Sequence, residues 1–340
     1  MGISPRNEKV PTAAGAFCFE IVAISLKYII HVISGLIPNS FFEVSMKRTV
    51  YQLATLLLLV AVTSCEQAVL DSPSPVAQRQ TADFTSETNI PVVEPMREIA
   101  VGYTSSVNSE GGGIVTGLGQ TMVPGGYKIW RRIPPANLVQ GTWVAIDGPN
   151  GGGAVKIAGT TGDGLYAVTN TNELWRYAGG NWSKLPFNAV DVATSVTSSA
   201  VYFLSTESLH GGYRVYRLIS NTSAEEVVYG GAATSIGVDQ FGRPWITTSI
   251  NEVYLGPLPQ TPRADRSWAL QSGLGKDITC TGTYAALIGL DNQIYYRPTN
   301  GTSSDWEFQG GLNVSQVTAS VSDNAVWYVT ASGQVYLASK

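Results

Sequence analysis

A hydrophobic residue followed by an aromatic one recurs six times in the last two-thirds of the chain. The pairs are Ile129-Trp130, Leu174-Trp175, Val215-Tyr216, Val253-Tyr254, Ile294-Tyr295 and Val335-Tyr336. Their spacings of 45, 41, 38, 41 and 41 residues match the length that four short strands and their turns occupy. A unit of that size cannot bury a core alone, so six in succession predict a closed ring whose loops are left to bind.

The residues around each pair repeat one grammar. In the fifth copy Trp268 is followed by Asp277-Ile278-Thr279-Cys280, then Tyr284-Ala285-Ala286-Leu287-Ile288, a turn at Asp291-Asn292, and Ile294-Tyr295-Tyr296-Arg297. These runs are short, β-branched or aromatic, and bounded by Gly, Asn, Asp and Ser, which selects strands over helices. Small residues such as Ile157-Ala158-Gly159 suit the innermost strand a, which converges on the axis. Continuous apolar runs such as Val201-Tyr202-Phe203-Leu204 suit strand b, covered on both faces. The aromatic pair then marks strand c, and Trp143, Trp182, Trp268 and Trp306 mark the outer strand d. The third copy lacks the Trp, and Val227-Val228-Tyr229 is expected in its place. The chain stops at Lys340 without a last d-strand, so Asn89-Ile90-Pro91-Val92-Val93 is expected to pair with Gln334 to Leu337 and close the ring. Pro91 is tolerable there because an outer strand is an edge.

These residues resemble the tectonin repeats, a subset of β-propellers found in some lectins and innate-immunity proteins. The likeness rests on a Trp, about ten residues, a small-residue strand, a Gly or Asp turn, and a close such as Leu165-Tyr166-Ala167-Val168 with Leu174-Trp175-Arg176. It covers roughly residues 97–340. The resemblance implies a six-bladed propeller of four-stranded blades and binding of a sugar or a protein.

Before the repeats, Met46-Lys47-Arg48, an apolar stretch from Val50 to Val62 and Val62-Thr63-Ser64-Cys65 form the pattern of a bacterial lipoprotein signal peptide. Cys65 is the expected lipid attachment site. Residues 46–64 are then the signal peptide, residues 65–88 a Ser-, Thr- and Pro-rich tether, residues 89–340 the all-β propeller, and residues 1–45 an extension ahead of the start at Met46. This address places the protein in the bacterial cell envelope, anchored to a membrane.

Residues 66–340 carry 16 Lys plus Arg against 22 Asp plus Glu with no basic run, which disfavours nucleic acid. His210 is the one histidine after Cys65 and precedes two glycines, so a turn role is expected, with no His-based metal site and no cofactor. Asp163, Asp239 and Asp323 fall in equivalent a–b turns, a structural position, while Glu225 and Glu226 are adjacent in a strand and point to opposite faces. No close carboxylate pair is expected at the axis, and the reading is non-catalytic. The expected partner is a glycan or an envelope protein, bound by a monomer. The ligand is expected on the face bearing the d–a and b–c loops, with Tyr127, Tyr213 and Phe308 as candidate stacking residues.

Overall fold

The computed structural model describes residue 84 and residues 86–102, 113–133, 141–160, 164–195, 197–228, 230–280, 282–301, 305–319 and 325–339. Cys65, the segments 1–45 and 46–64, and Asp163 and Asp323 lie outside these described residues.

The described residues form strands β1 (Ser86–Ile90), β2 (Met96–Gly102), β3 (Ile114–Val123), β4 (Gly126–Ile133), β5 (Thr142–Ile146), β6 (Lys156–Gly159), β7 (Leu165–Val168), β8 (Glu173–Ala178), β9 (Asn181–Thr194), β10 (Val201–Leu209) and β11 (Gly212–Ser220). They continue with β12 (Ser223–Glu226), β13 (Ser235–Val238), β14 (Pro244–Thr247), β15 (Glu252–Leu255), β16 (Ala269–Cys280), β17 (Tyr284–Gly289), β18 (Ile294–Pro298), β19 (Glu307–Gly310), β20 (Val314–Ala319), β21 (Ala325–Thr330) and β22 (Val335–Ser339). Single 3-10 turns at Pro149–Gly151 and Arg263–Asp265 are the helical elements among them.

Pairing is antiparallel throughout and sorts into four-stranded units. Blade one is β2-β3-β4-β5. The long strands β9 and β16 each serve two units: residues 181–188 pair with β8 and residues 189–194 with β10, while residues 269–274 pair with β15 and residues 275–280 with β17. Blade two is therefore β6-β7-β8 with the first part of β9, and blade three is the rest of β9 with β10-β11-β12. Blades four and five divide β13 to β19 in the same way, and blade six is β20-β21-β22-β1. The innermost strands β2, β6, β9, β13, β16 and β20 neighbour one another in cyclic order, with β20 returning to β2. The protein is an all-β propeller.

The core lies in the seams between blades. Ile99, Val101 and Trp143 of blade one pack with Trp327, Val329 and Val335 of blade six, and Tyr202, Leu204 and Val215 of blade three pack with Ile236, Val238 and Ile246 of blade four. Small residues are required at the axis. A Cβ on Gly159 would lie 2.4 Å from the Val101 carbonyl carbon of the adjacent blade. Strand b is buried through its first five residues in β10, where Val201 to Ser205 are all shielded and Thr206 to Ser208 emerge into solvent.

Two expectations are corrected. The closing strand is Ser86–Ile90, running from Ser86 opposite Ser339 to Ile90 opposite Val335, three residues earlier than expected. Ile90 fills the seam at 1% exposure, and Pro91 leaves the ladder so that its carbonyl accepts the Trp143 Nε1 hydrogen at 2.9 Å. The outer strand of blade three is Ser223–Glu226, not the expected run from Val227 and Val228, whose third residue, Tyr229, lies outside the described residues. A tight turn after β11 forces pairing to start at once, and Val227 is instead buried in the seam to blade four. Glu225 meets Arg217 at 2.6 Å and Arg266 at 3.1 Å, whereas Glu226 meets Arg214 at 2.8 Å, the alternation expected of strand neighbours.

Candidate functional site

Each a-strand rises from the face that carries the d–a and b–c loops, here the lower face. At its lower end every a-strand presents a polar residue: Glu98, Lys156, Asp191, Ser235, Asp277 and Gln316. Glu98, Lys156, Asp191, Asp277 and Gln316 line a narrow axial cavity of about 70 Å³ with the small residues above them. Three carboxylates thus surround the axis, where none was expected. The missed signal is their shared repeat position, the residue just before the Ile or Val of each a-strand.

Part of this ring works as a latch between blades. The Glu98 carboxylate accepts the Ile157 backbone N–H of blade two at 2.8 Å and pairs with Lys156 at 3.1 Å. Gln316 accepts the Ile99 N–H and donates to the Ile99 carbonyl, both at 3.1 Å, and Ser235 accepts the Ile278 N–H at 3.2 Å while donating to Asp277. Asp191 accepts only the N–H of its own neighbour Val192, at 2.9 Å. Burial pushes its carboxyl up to about 7, opposed by Lys156 and reinforced by Glu98 and Asp277. Burial also raises Glu98, while Lys156 is raised chiefly by Glu98 and then by Asp191. Among the described residues no cluster of three or more His, Cys, Asp or Glu is arranged to hold a metal ion.

A second site lies on the same face, at the seam between blades three and four. A cavity of about 340 Å³, at the small end of ligand pockets, is lined by His210, Gly231, Ile250, Glu252, Tyr254 and Trp268 among others. Glu252 and Tyr254 alternate on β15 and so face the same side, and the Tyr254 hydroxyl donates to Glu252 Oε2 at 2.8 Å. That bond raises the Tyr254 phenol above its ordinary value. Trp268 just precedes β16. Gly231 is needed beside it, because a Cβ there would lie 2.3 Å from the indole nitrogen.

The indole sets this seam apart. Trp182 donates to the Asp147 carbonyl at 2.7 Å, Trp306 to Ser272 at 2.7 Å and Trp143 to Pro91 at 2.9 Å, each stitching an outer strand to the preceding d–a junction. Trp268 Nε1 is buried and has no such partner. The seam is stitched at the upper face, where Ser195 Oγ donates to the Asp239 carbonyl at 2.9 Å and the Tyr202 hydroxyl to Gly242 at 2.7 Å, and at the lower face by Ser249 Oγ, which donates to the His210 carbonyl at 3.3 Å. Asp239 is a turn organiser: its carboxylate accepts the Phe241 and Arg243 N–H groups at 2.9 Å each and the Arg243 Nε at 2.8 Å.

Of the residues singled out in the sequence, His210 reaches the pocket from a two-residue turn with Gly211, at φ 46 and 83. Positive φ at both positions is the signature of a type I′ hairpin. Tyr127 and Tyr213 are half-buried and occupy equivalent places, their N–H groups bonded to the Ala154 carbonyl at 2.7 Å and the Ala233 carbonyl at 2.9 Å. Arg97 covers the Tyr127 ring at 4.3 Å. Phe308 packs edge-on against Tyr295 with centroids 5.7 Å apart. Lying in blades one, three and five, the three aromatics are not brought together.

No protein-family profile matches the chain, and no curated protein matches it. Solved structures similar to it include human WBSCR16, at 9% identity over 74% of this chain and 78% of that one, TM-score 0.47. Another is the Cps50 (Swd1) β-propeller domain of Myceliophteria thermophila, at 9% identity over 76% of this chain and 100% of that one, TM-score 0.46.

Proposed function

We propose that the protein is a lipid-anchored, non-catalytic binding module of the bacterial envelope that recognises a glycan on its lower face. The observation that carries this reading is the pocket at the seam of blades three and four. It joins two aromatic rings, Trp268 and Tyr254, to a carboxylate acceptor and the turn around His210, within a volume suited to one sugar ring. Aromatic faces stack on the C–H faces of pyranoses while fixed polar groups orient the hydroxyls. The anchor reading rests on Lys47-Arg48, the apolar run to Val62 and Cys65.

Screening the full chain in detergent against a glycan array tests the binding reading. Retention of a glycan that Trp268→Ala abolishes supports it, and an array without hits contradicts it. Mass spectrometry tests the anchor separately: a diacylglyceryl-modified Cys65 is expected, and an unmodified Cys65 in the mature protein would sink it.

A second reading, a protein-docking platform, is favoured by the exposed apolar residues of the same face. Leu312 is 76% exposed, Ile250 65%, Leu290 41% and Leu274 36%. Apolar exposure at several adjacent loops marks interaction surfaces.

A further inference from the structure

Glu252 has a twin inside the molecule. Both Glu173 and Glu252 open a c-strand, in blades two and four, and both place Oε2 on the aromatic residue two positions later. In blade two that residue is Trp175, whose Nε1 donates at 3.2 Å; in blade four it is Tyr254, whose hydroxyl donates at 2.8 Å. The other oxygen differs. Glu173 Oε1 takes the Lys184 ammonium at 2.5 Å. Lys184 stands opposite Trp175 on the neighbouring outer strand, and the residue opposite Tyr254 at the same place is Leu270. Glu252 therefore keeps the site for an ammonium but lacks the lysine that fills it, and no Lys or Arg lines the pocket.

We infer that the pocket selects an amino sugar whose nitrogen is unacylated and protonated. Its ammonium would sit on Glu252 Oε1, where blade two carries its own Lys184, and its ring would lie along Trp268. A cation held between a carboxylate and aromatic faces gains from both. An acidic sugar would instead meet Glu252 with like charge. The same logic gives one site per ring, since in blade two the equivalent carboxylate is already neutralised from within. This inference rests on the glycan reading proposed above and narrows it.

The test uses the full chain in detergent, titrated by NMR with the methyl glycosides of glucosamine, N-acetylglucosamine and glucose, and with N-acetyl-lysine methylamide. Glucosamine glycoside should bind at least about tenfold more tightly than the acetylated or hydroxyl forms, the worth of one ion pair. Glu252→Gln should erase that preference. Leu270→Lys, which restores the blade-two pair, should block binding while leaving the indole spectrum of the fold unchanged. Equal binding of the three sugars would overturn the amino-sugar inference while leaving the glycan reading intact. Binding of the lysine derivative alone would overturn both. Binding that survives Leu270→Lys would also overturn the inference.

Discussion

The seam between blades one and two and the seam between blades three and four are built from the same repeat and held differently. At the first, Glu98 latches the axis to Ile157 N–H and Lys156, and Trp182 closes the lower rim on the Asp147 carbonyl. At the second, Asp191 stays on its own strand, Trp268 Nε1 finds no acceptor, and the seam is held by Ser195 and Tyr202 at the upper face and by the longer Ser249–His210 bond of 3.3 Å at the lower. An unpaired buried N–H costs about 1–3 kcal/mol. The ring carries such a deficit at the blade three–four seam, as it does at Trp327 Nε1 in the blade six–one seam, and the lower rim beside Trp268 is where the cavity opens. Repetition supplies the stability, and departure from repetition supplies the site.

The largest expected effect is at a third seam, between blades six and one, where the two ends of the propeller meet. Deleting residues 85–95 removes β1 and the Trp143 acceptor at Pro91, and should unfold the ring in urea as a whole, whereas deleting residues 66–83 should leave the midpoint nearly unchanged. Equal midpoints for the two truncations would show that the closure is not structural.

Lys156→Met comes next. It leaves the buried Glu98 at the axis without its half-exposed counter-ion beside Asp191 and Asp277, and should cost about 1–3 kcal/mol in chemical unfolding. A loss below about 1 kcal/mol would break the claim that the first seam is held at the axis.

Asp191 sharpens the comparison through pH. Its folded pKa of about 7 lies above the ordinary 3.8, so the folded protein keeps a proton that the unfolded chain releases. The stability this confers is full below pH 3.8 and lost as pH rises through 7, on the order of 4 kcal/mol for this group alone. Asp191→Asn should flatten unfolding free energy between pH 5 and 7 and stabilise the ring above it. An unchanged slope would mean that Asp191 ionises freely.

The smallest effect separates the two indoles. Trp182→Phe should cost about 1 kcal/mol for its hydrogen bond, while Trp268→Phe, which loses none, should be within about 0.5 kcal/mol of wild type. Equal costs measured by thermal unfolding would show that the seams are not different.

Much of the propeller was legible because its signals are local. Small a-strands, continuous b-strands and the aromatic pairs each report one strand's burial, and even the clasp could be inferred from a missing outer strand. Register was less legible: Pro91 read as an edge residue, whereas Ile90 fixes the frame by filling the seam. The third outer strand was misplaced because apolar Val227-Val228 outweighed polar Ser223–Glu226, whose pairing depends on the turn and on Arg214 and Arg217 rather than on hydrophobicity. The site was the least legible. Carboxylates were sought in turns, while the axial ones sit at a repeat position whose neighbours come from other blades. Glu252 becomes distinctive only when its strand partner Leu270 is set against Lys184, a contrast that needs the register.

One measurement addresses the central claim, that the open seam rather than the closed one receives the ligand. Indole N–H resonances, assigned by single Trp→Phe variants, can be followed by NMR while the full chain in detergent is titrated with a glycan hit from the array. Movement of the Trp268 resonance with Trp182 and Trp306 held still is the result predicted, because those two are already bonded to Asp147 and Ser272. Saturable movement of Trp182 or Trp306 with Trp268 unmoved would place the ligand elsewhere and contradict the account.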